Sequence, residues 1–353
     1  MLENFECPIC KHNHWEPIEK YSYSTEDGKN HSCTKWTFIR RKISNVGRAL
    51  FVAKPKRHIV IYRHLNDYQK LRRGVLFNVW FPKKKEVNLT SIFCKTCGFV
   101  CYTPRPEDKD ISNKYRYLKQ FEPDQGGQTG HDSYARKLDI ERAERVFSQC
   151  TRYLANKNLD ILDYGGGNGK IMIPFVEKNH NCYLIDYNEH PIDGVSKLAD
   201  DINSYKVGQK FDLIIYSHVL EHVSNISSLI NKLKELLNPG GIIYAEVPQE
   251  IWSGLRIDAD PVTHINFFTL NSFQNLFLVN GFKILETNQE ISNYGRAYME
   301  VVWLVAQSDS YGADNLLPSD TKAMLFPSRI YSINKIYKLS VTPIIRRIKD
   351  CFF

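Results

Sequence analysis

A glycine-rich turn after an acidic residue is the first candidate for chemistry in this sequence. Residues 160–169 read Asp-Ile-Leu-Asp-Tyr-Gly-Gly-Gly-Asn-Gly, so an apolar run ends at Asp163 and alternating glycines follow at Gly165, Gly167 and Gly169. Glycine adopts positive φ freely and has no Cβ, so a ligand can lie against the bare backbone of such a turn. The segment therefore predicts a buried strand that leads into a ligand-binding turn and a helix.

Two common nucleotide-binding motifs do not fit this turn. The dinucleotide fingerprint requires a third glycine three positions after the second, and this chain has Lys170 there. The phosphate-binding P-loop requires a glycine in place of Tyr164 and Ser or Thr in place of Ile171. Both motifs are disfavoured, and a bare glycine turn of another α/β protein remains the alternative interpretation.

An acid at the end of the next apolar run is the second candidate. Residues 182–186 read Cys-Tyr-Leu-Ile-Asp, which predicts a buried strand that ends at Asp186. A carboxylate fixed at a strand end can accept hydrogen bonds from both hydroxyl groups of a ribose. A helix cap or a turn is the alternative role for this aspartate.

Two histidines and a glutamate follow a further apolar strand. Residues 218–222 read His-Val-Leu-Glu-His, and His264 lies beyond the next predicted strand. Histidine titrates near neutral pH and can take a proton from a hydroxyl group or an acidic carbon. We predict His222 as the catalytic base, with Glu221 orienting it or sharing its role. His218 is the second candidate for the base, and His264 is a further residue that could line the substrate cleft. A structural role is the alternative for each histidine.

The same five residues match the inverted zinc-peptidase motif His-x-x-Glu-His. In that motif both histidines must project from one face of a single helix. Here the motif directly follows a predicted strand, so a metallopeptidase is disfavoured.

Two Cys-x-x-Cys pairs predict a structural zinc site with a closed shell of four thiolates. The chain has nine cysteines, and an odd number with two such pairs favours metal binding in a reducing cytoplasm over a disulfide framework. The predicted ligands are Cys7, Cys10, Cys94 and Cys97. The long interval between the pairs leaves other ligands possible, namely His12, His14, His31, Cys33 and Cys101. Four free cysteines are the remaining alternative.

Apolar strands alternate with helical segments from about residue 133 to 307, which predicts a mainly parallel, doubly wound α/β sheet. Two β-rich segments without a helix between them predict an antiparallel pair at the end. The connection after Asp186 is too short for a full crossover helix. The predicted strands are 161–164, 182–186, 195–198, 211–217, 241–247, 283–290 and 300–305, and the predicted helices are 134–154, 170–178, 226–237 and 270–280.

Composition bounds the class of protein. The chain has 353 residues, of which 42% are hydrophobic and 24% charged, as expected of a globular protein with one α/β domain and a smaller module. Its first residues lack the features of a signal peptide, and it contains no apolar run long enough to span a bilayer. We expect a cytoplasmic protein, with peripheral contact at the inner face of the membrane as an alternative.

The positive charge is concentrated in one segment. Residues 35–85 contain fifteen lysines and arginines and a single acid, Asp67, whereas the whole chain has a net charge of +8. Such a segment attracts phospholipid, pyrophosphate-bearing substrates or nucleic acid. The tail, residues 308–353, interleaves basic and apolar residues like an interfacial helix. A solvated face for the segment and docking of the tail on the core are the alternatives.

Four motifs in this order resemble those of class I S-adenosylmethionine-dependent methyltransferases: the glycine turn, Asp186, residues 210–223 and the Leu-Asn-Pro-Gly-Gly turn at 237–241. The resemblance implies a seven-stranded Rossmann-like sheet and S-adenosylmethionine as the cofactor. It places the turn at the methionine end, Asp186 at the ribose, and Asp201 and Ile202 at the adenine edge, where Asp200 is a neighbouring candidate. The implied cofactor-binding residues are Asp163, Gly165, Gly166, Gly167, Gly169, Asp186, Tyr187, Asp201, Ile202 and Ser217.

The segment from Cys94 to residue 106, followed by Lys114-Tyr-Arg-Tyr, is similar to a bacterial arrangement in which a zinc-binding module precedes a methyltransferase domain. Deoxysugar C-methyltransferases and related surface-polysaccharide enzymes have this arrangement. The basic segment 35–85 departs from it. We expect a zinc-binding module at 1–115 and a methyltransferase domain at 133–307. The resemblance, which covers the second cysteine pair and most of residues 94–306, implies a small-molecule or lipid-linked sugar as the acceptor.

Other functions stay open at this point. RNA methylation fits the zinc module and the basic segment, although the chain lacks an Asn-Pro-Pro-Tyr-type motif for base methylation. A catalytically silent cofactor-binding adaptor at the membrane would keep Asp186 and the glycine turn without requiring His222.

Overall fold

The structure is a computed structural model, and it describes residues 5–25, 32–40, 51–55, 59–60, 67–121, 133–155, 158–206, 208–251, 261–294, 297–309 and 316–321. The basic segment 35–85 is described only in part. Residues 322–353, which form most of the predicted tail, lie outside the described residues. Among the described residues, no helix has both the length and the apolar character needed to cross a bilayer.

The described residues contain strands in two sheets and six α-helices. The strands are β1 (Trp15–Ser24), β2 (Ser32–Arg40), β3 (Phe51–Pro55), β4 (Ile59–Val60), β5 (Glu86–Cys94), β6 (Val100–Thr103), β7 (Asp160–Tyr164), β8 (Asn181–Ile185), β9 (Val195–Ala199), β10 (Phe211–Ser217), β11 (Leu237–Pro248), β12 (Asn266–Phe267), β13 (Phe282–Tyr294) and β14 (Ala297–Ser308). The helices are α1 (Asp67–Val75), α2 (Asp108–Lys119), α3 (Ser133–Thr151), α4 (Ile173–Glu177), α5 (Ile226–Glu235) and α6 (Leu270–Val279).

The central sheet has the strand order β13-β14-β11-β10-β7-β8-β9. Strands β9, β8, β7, β10 and β11 are parallel, whereas β14 lies antiparallel between β11 and β13. This is the predicted doubly wound sheet with an antiparallel closing pair, so the predicted fold class is confirmed. Between β8 and β9 the chain forms no helix, as the short connection after Asp186 predicts.

Side chains on the central strands alternate between two helical layers, because successive residues of a strand point to opposite faces. Leu213 and Ile215 pack in one apolar cluster with Phe175 of α4. Ile214 and Tyr216 pack in another with Phe273 of α6. Strands β7, β8 and β10 are therefore buried on both faces, and their carboxyl ends meet at one edge of the sheet.

The second sheet, which we call the N-terminal sheet, has the order β12-β6-β5-β1-β2-β3, with β4 also paired to β2. All of its pairings are antiparallel. Strand β12 comes from the segment after β11, so that segment crosses to the N-terminal sheet. Phe99 also lies 5.5 Å from Phe268, ring centre to ring centre, in a cluster shared by both sheets. The N-terminal sheet is thus packed on the central one, and the predicted domain boundaries stay predictions.

Candidate active site and cysteine cluster

The glycine turn joins β7 to a short 3-10 turn, Lys170–Met172, that precedes α4. Gly165, Gly167 and Gly169 have φ values of 72°, 64° and 81°. Any other residue would be strained in this left-handed region. A Cβ on Gly165 would lie 2.5 Å from a methyl group of Val219, whereas a Cβ on Gly167 would meet nothing within 4 Å. The backbone at Gly167 therefore faces open space, as a ligand-binding turn requires.

Asp163 lies beneath this turn. Its side chain is buried, and a Cβ on Gly166 would fall 1.8 Å from its Oδ2, so the missing side chain leaves room for the carboxylate. Among the described residues Oδ2 has no hydrogen-bond partner. Burial raises the pKa of Asp163 to about 7, and the charge of Arg142 opposes this only in part. A cationic ligand group would satisfy this oxygen and favour its charged form.

Asp186 is held against the same turn. Its Oδ2 accepts a hydrogen bond from the Gly167 N–H at 2.9 Å, and its Oδ1 accepts one from the Asn188 N–H at 2.8 Å. A carboxylate has about four lone-pair sites, so both oxygens can still accept hydroxyl groups. The structure thus brings Asp163, the glycine turn and Asp186 together at the carboxyl edge of the sheet.

The predicted adenine-edge residues lie next to the ribose candidate. Tyr187 is half-exposed, and its hydroxyl donates to Oδ2 of Asp201 at 3.4 Å. The other oxygen of Asp201 accepts two backbone N–H groups of the turn that follows. Ile202 is partly buried against the core. The neighbouring candidate Asp200 is instead paired with Lys197 at 2.6 Å, which favours Asp201 as the residue of the cleft.

Ser217, at the end of β10, belongs to a buried polar network rather than to the open face of the turn. Its Oγ donates to Glu246 Oε1 at 3.1 Å and accepts from Arg142 Nη2 at 2.7 Å. Arg145 also pairs with the Glu246 carboxylate. Although burial raises the pKa of Glu246, hydrogen bonding to His218 and the charges of both arginines hold it well below its usual range. The hydrogen bonds of this network fix the orientation of the Ser217 side chain.

His218 follows β10 with φ at 58° and joins this network. Its Nε2 lies 3.3 Å from Glu246 Oε1, and its Nδ1 lies 3.4 Å from Glu221 Oε1. Burial lowers the pKa of His218, but these two carboxylates outweigh burial and raise it overall. His218 is therefore a buried link between Glu246 and Glu221. Because it belongs to no helix, the zinc-peptidase motif is not formed.

Glu221 and His222 lie on the 3-10 turn Leu220–His222, which the 263–266 segment holds in place. Nδ1 of His222 lies 2.6 Å from the Thr263 carbonyl oxygen. A carbonyl can only accept, so Nδ1 carries the hydrogen and Nε2 carries the lone pair. That Nε2 is 3.8 Å from Glu221 Oε1. Burial lowers the pKa of His222 to about 3, so the imidazole is neutral at physiological pH.

His264 completes a cluster with these two residues. Its ring centre is 4.9 Å from that of His222, and its Nδ1 is 2.7 Å from Glu250 Oε2. Burial lowers the pKa of His264, but pairing with Glu250 outweighs burial and raises it. Glu221, His222 and His264 each place one ligand atom within 4.8 Å of the others. We call these three residues the histidine cluster.

Sequence reasoning missed several residues of the cleft. Glu250 and Thr263 hold the histidines, and helix α2 contributes Lys114 and Tyr115. The Tyr115 ring lies 6.3 Å from that of Tyr187, and burial together with the Glu221 charge raises its pKa to about 12. Glu246 was missed as well, although an acid within the apolar strand β11 was a signal for it.

The four predicted cysteine ligands converge. Cys7 Sγ lies 3.5 Å from Cys97 Sγ, Cys10 Sγ lies 3.5 Å from Cys94 Sγ, and all four sulfur atoms lie within 4.8 Å of one another. Zn–S bonds of about 2.3 Å in a tetrahedron require sulfur atoms roughly 3.8 Å apart, so the site fits zinc. Antiparallel pairing of β1 with β5 sets Trp15 beside Cys94 and brings the distant pairs together.

The alternative ligands are arranged differently. Cys101 is buried outside the cysteine cluster, and Nδ1 of His12 lies 2.9 Å from the backbone oxygen of Cys10. His14 Nδ1 lies 3.4 Å from the Thr96 hydroxyl. His31 and the side chain of Cys33 lie outside the described residues.

Residues 134–287 match the family model described as "Methyltransferase domain". This part of the chain is similar to methyltransferase domains. It contains strands β7 to β12 and the start of β13, and it carries the glycine turn, Asp186 and the histidine cluster. The match leaves strands β1 to β6 of the N-terminal sheet outside it.

Curated relatives match shorter stretches. The ubiquinone biosynthesis O-methyltransferase of Bartonella tribocorum is 28% identical over 108 residues, which cover 27% of this chain and 43% of that protein. The tRNA 5-carboxymethoxyuridine methyltransferase of Escherichia coli (strain K12) is 32% identical over 103 residues, which cover 25% of this chain and 39% of that protein. The chain thus spans about two fifths of the length of these relatives. The solved 1,6-didemethyltoxoflavin-N1-methyltransferase of Burkholderia thailandensis is 14% identical, with a TM-score of 0.43 and coverage of 60% and 96%.

Proposed function

We propose that this protein transfers the methyl group of S-adenosylmethionine to a sugar or saccharide intermediate of surface-polysaccharide synthesis. The observation that carries the methyl transfer is the convergence of Asp163, the open backbone at Gly167 and Asp186 on one sheet edge, beside the histidine cluster. The methyltransferase-domain match supports the cofactor. The resemblance of the cysteine-bearing segment to that of sugar methyltransferases supports the acceptor.

The cleft has two halves: a cofactor half that binds S-adenosylmethionine and an acceptor half that contains the histidine cluster. Asp163 would accept the cofactor's amino group and Asp186 its ribose hydroxyls, with Tyr187, Asp201 and Ile202 beside the adenine. The cofactor supplies an activated methyl group, and the histidine cluster faces the acceptor and activates it. Most of the acceleration would come from holding the two substrates in line.

Calorimetry with S-adenosylmethionine tests the cofactor half of this proposal. Wild type should bind, and Asp186→Ala should bind at least about a hundredfold more weakly, since charged hydrogen bonds contribute roughly 1.5–3 kcal/mol each. Asp193→Ala removes an exposed aspartate of the same loop and serves as the matched control. Absence of binding to wild type would overturn the proposal.

The acceptor is tested separately, because an RNA acceptor is supported by the E. coli relative, whose own name states a tRNA substrate. Methyl transfer should be measured with nucleotide-sugars, a lipid extract and RNA, in wild type and in His222→Ala. The proposal expects transfer to the sugar-bearing fractions, and loss of that transfer in His222→Ala. Transfer to RNA alone would establish the second candidate. Unchanged binding of S-adenosylmethionine without transfer to any acceptor would favour a silent adaptor.

We further propose zinc in the cysteine cluster, where it would join the start of β1 to the end of β5. The donor set and the sulfur separations support this. Metal analysis should find one zinc fewer per chain in Cys94→Ser than in wild type. Cys101→Ala, which changes a buried cysteine outside the cluster, should keep its zinc.

Contact with anionic membrane at the inner face, through the tail at residues 308–353, stays a proposal that rests on its interleaved basic and apolar residues. Cosedimentation with anionic liposomes should be stronger for the full chain than for residues 1–320. Equal binding of both would remove the tail's role.

A further inference from the structure

We infer that the histidine cluster binds a divalent first-row transition-metal ion on the acceptor side of the cleft. This inference rests on the proposed methyl transfer for its role, but the site itself is argued from three residues alone. Glu221, His222 and His264 offer one carboxylate oxygen and two imidazole nitrogens within 4.8 Å of one another. Two imidazoles and a carboxylate form a donor set that first-row divalent metals take in proteins.

Both histidines are oriented as metal ligands usually are. Nδ1 of His222 donates to the Thr263 carbonyl oxygen at 2.6 Å, and Nδ1 of His264 pairs with Glu250 Oε2 at 2.7 Å. Each contact fixes the orientation of its imidazole ring. Because the contact uses Nδ1, Nε2 is the ring nitrogen that remains to bind a metal ion. A ligating histidine commonly donates its other ring N–H to a carbonyl or a carboxylate, and this sets its tautomer. The cluster therefore has the supporting contacts of a metal site as well as the donors.

Glu221 gives an independent indication. Its side chain is buried, and its Oε2 has no hydrogen-bond partner among the described residues. A buried carboxylate oxygen without a partner costs free energy, because the water it has lost is not replaced. A cation bound between Glu221 and the two histidines would take the place of the lost water at this carboxylate oxygen.

The backbone around Glu221 is fixed before any ligand binds. The Ile265 N–H donates to the Glu221 carbonyl oxygen at 2.8 Å, and the Asn266 side chain donates to the Leu220 and Val223 carbonyl oxygens. Arg105 donates to the Val223 and Ile265 carbonyl oxygens. Sites held in this way lose little entropy when they bind a ligand.

The site is closed on the protein side and open on the cleft side. The side chains of His222 and His264 are 22% and 23% exposed, whereas that of Glu221 is 2% exposed. Three protein ligands leave further coordination positions for an acceptor, as in catalytic metal centres. An acceptor with two adjacent oxygens, such as a vicinal diol, could occupy two of these positions.

The metal would then activate the acceptor in place of a histidine base. A hydroxyl bound to a cation loses its proton to solvent more readily. The resulting oxygen forms a bond to the methyl carbon, and the carbon–sulfur bond breaks with its electron pair returning to sulfur. In this arrangement His222 is a ligand, and its role as a metal-free base is the competing outcome.

Manganese(II) is the probe that separates this site from the cysteine cluster, because thiolates favour softer metals such as zinc. Full-length protein is treated briefly with a chelator that removes metal from the histidine cluster, desalted, and titrated with Mn²⁺ under electron paramagnetic resonance. Wild type should bind one Mn²⁺. Glu221→Gln and His264→Gln should weaken this binding more than tenfold, and Glu250→Gln should weaken it about tenfold. His190→Gln, which changes an exposed histidine outside the cluster, should bind like wild type.

Circular dichroism establishes that each variant is folded, and Glu250→Gln, which keeps all three ligands, provides a test should Glu221→Gln not fold. Equal Mn²⁺ binding in wild type and in the folded variants, or no binding to wild type, would overturn the inference. Full methyl transfer by desalted protein without added metal would overturn the metal's role while leaving the proposed function intact. Mn²⁺ binding without binding of S-adenosylmethionine would overturn the proposed function and leave the metal site.

Discussion

The cofactor half and the acceptor half of the cleft are built in different ways. In the cofactor half, Asp163 and the glycine turn are contiguous, and the contact to Asp186 is made by backbone. In the acceptor half, Glu221 and His222 meet His264 through side chains from separate loops. A contiguous turn suits a cofactor that stays constant, whereas side chains from separate loops allow the acceptor to change by substitution. We therefore expect a substitution in the cofactor half to weaken the binding of S-adenosylmethionine alone, and a substitution in the acceptor half to affect the acceptor alone.

The largest effect is expected on the unfolding free energy, from a change at Glu246 in the buried polar network next to the cleft. Glu246→Gln removes the buried charge that pairs with the partly buried Arg142 and Arg145, while Arg145 keeps its pair with Glu290. Breaking such a pair costs about 3–5 kcal/mol of unfolding free energy. Urea unfolding measures this loss of unfolding free energy, with Glu235→Gln, a change at an exposed glutamate, as the control. A loss below about 1 kcal/mol would show that the network does not support the cleft.

Gly166→Ala tests whether the cofactor half depends on its bare backbone. The new methyl group would overlap the Asp163 carboxylate, so the turn must shift, at a cost of about 1–3 kcal/mol. We expect S-adenosylmethionine affinity to fall by tenfold or more while Mn²⁺ binding at the histidine cluster is unchanged. Gly208→Ala, where an added Cβ meets nothing within 4 Å, is the matched control. Equal losses at both sites would contradict a division of the cleft.

The pKa of Asp163 gives the cofactor half a pH dependence. Burial holds it near 7 in the free protein, and a bound ammonium group would lower it. Below pH 7 the free protein carries a proton here that must leave on binding, so affinity should rise with pH and level off above 7. Between pH 6 and pH 8 the change should be about tenfold, or roughly 1.4 kcal/mol. Calorimetry should show a flat profile for Asp163→Asn; a wild-type profile that falls with rising pH would refute the assignment.

Tyr115 should have the smallest effect, because helix α2 only borders the cofactor half. Aromatic pairs contribute about 0.5–1.5 kcal/mol, so losing the contact with Tyr187 in Tyr115→Ala should weaken S-adenosylmethionine binding by about tenfold or less. Tyr115→Phe keeps the ring and should bind like wild type. If Tyr115→Phe is as weak as Tyr115→Ala, the hydroxyl rather than the ring makes the contact.

The sequence was sufficient for elements whose signal is local. The strand ends at Asp163 and Asp186 and the positive φ of the glycines follow from patterns within ten residues. Pairing of the cysteines was open in the sequence, because only the β1–β5 register brings Cys7 and Cys10 to the second pair. The partners of Glu246 were also unpredictable. Arg142 and Arg145 lie on α3, about a hundred residues away in sequence, and no spacing rule connects them.

The most direct test of the account is calorimetry of S-adenosylmethionine with wild type, Asp186→Ala and His222→Ala. The account predicts that wild type binds, that Asp186→Ala loses at least about a hundredfold in affinity, and that His222→Ala binds within a few-fold of wild type. Failure of wild type to bind, or a loss in His222→Ala as large as that in Asp186→Ala, would contradict a cleft with separate cofactor and acceptor halves.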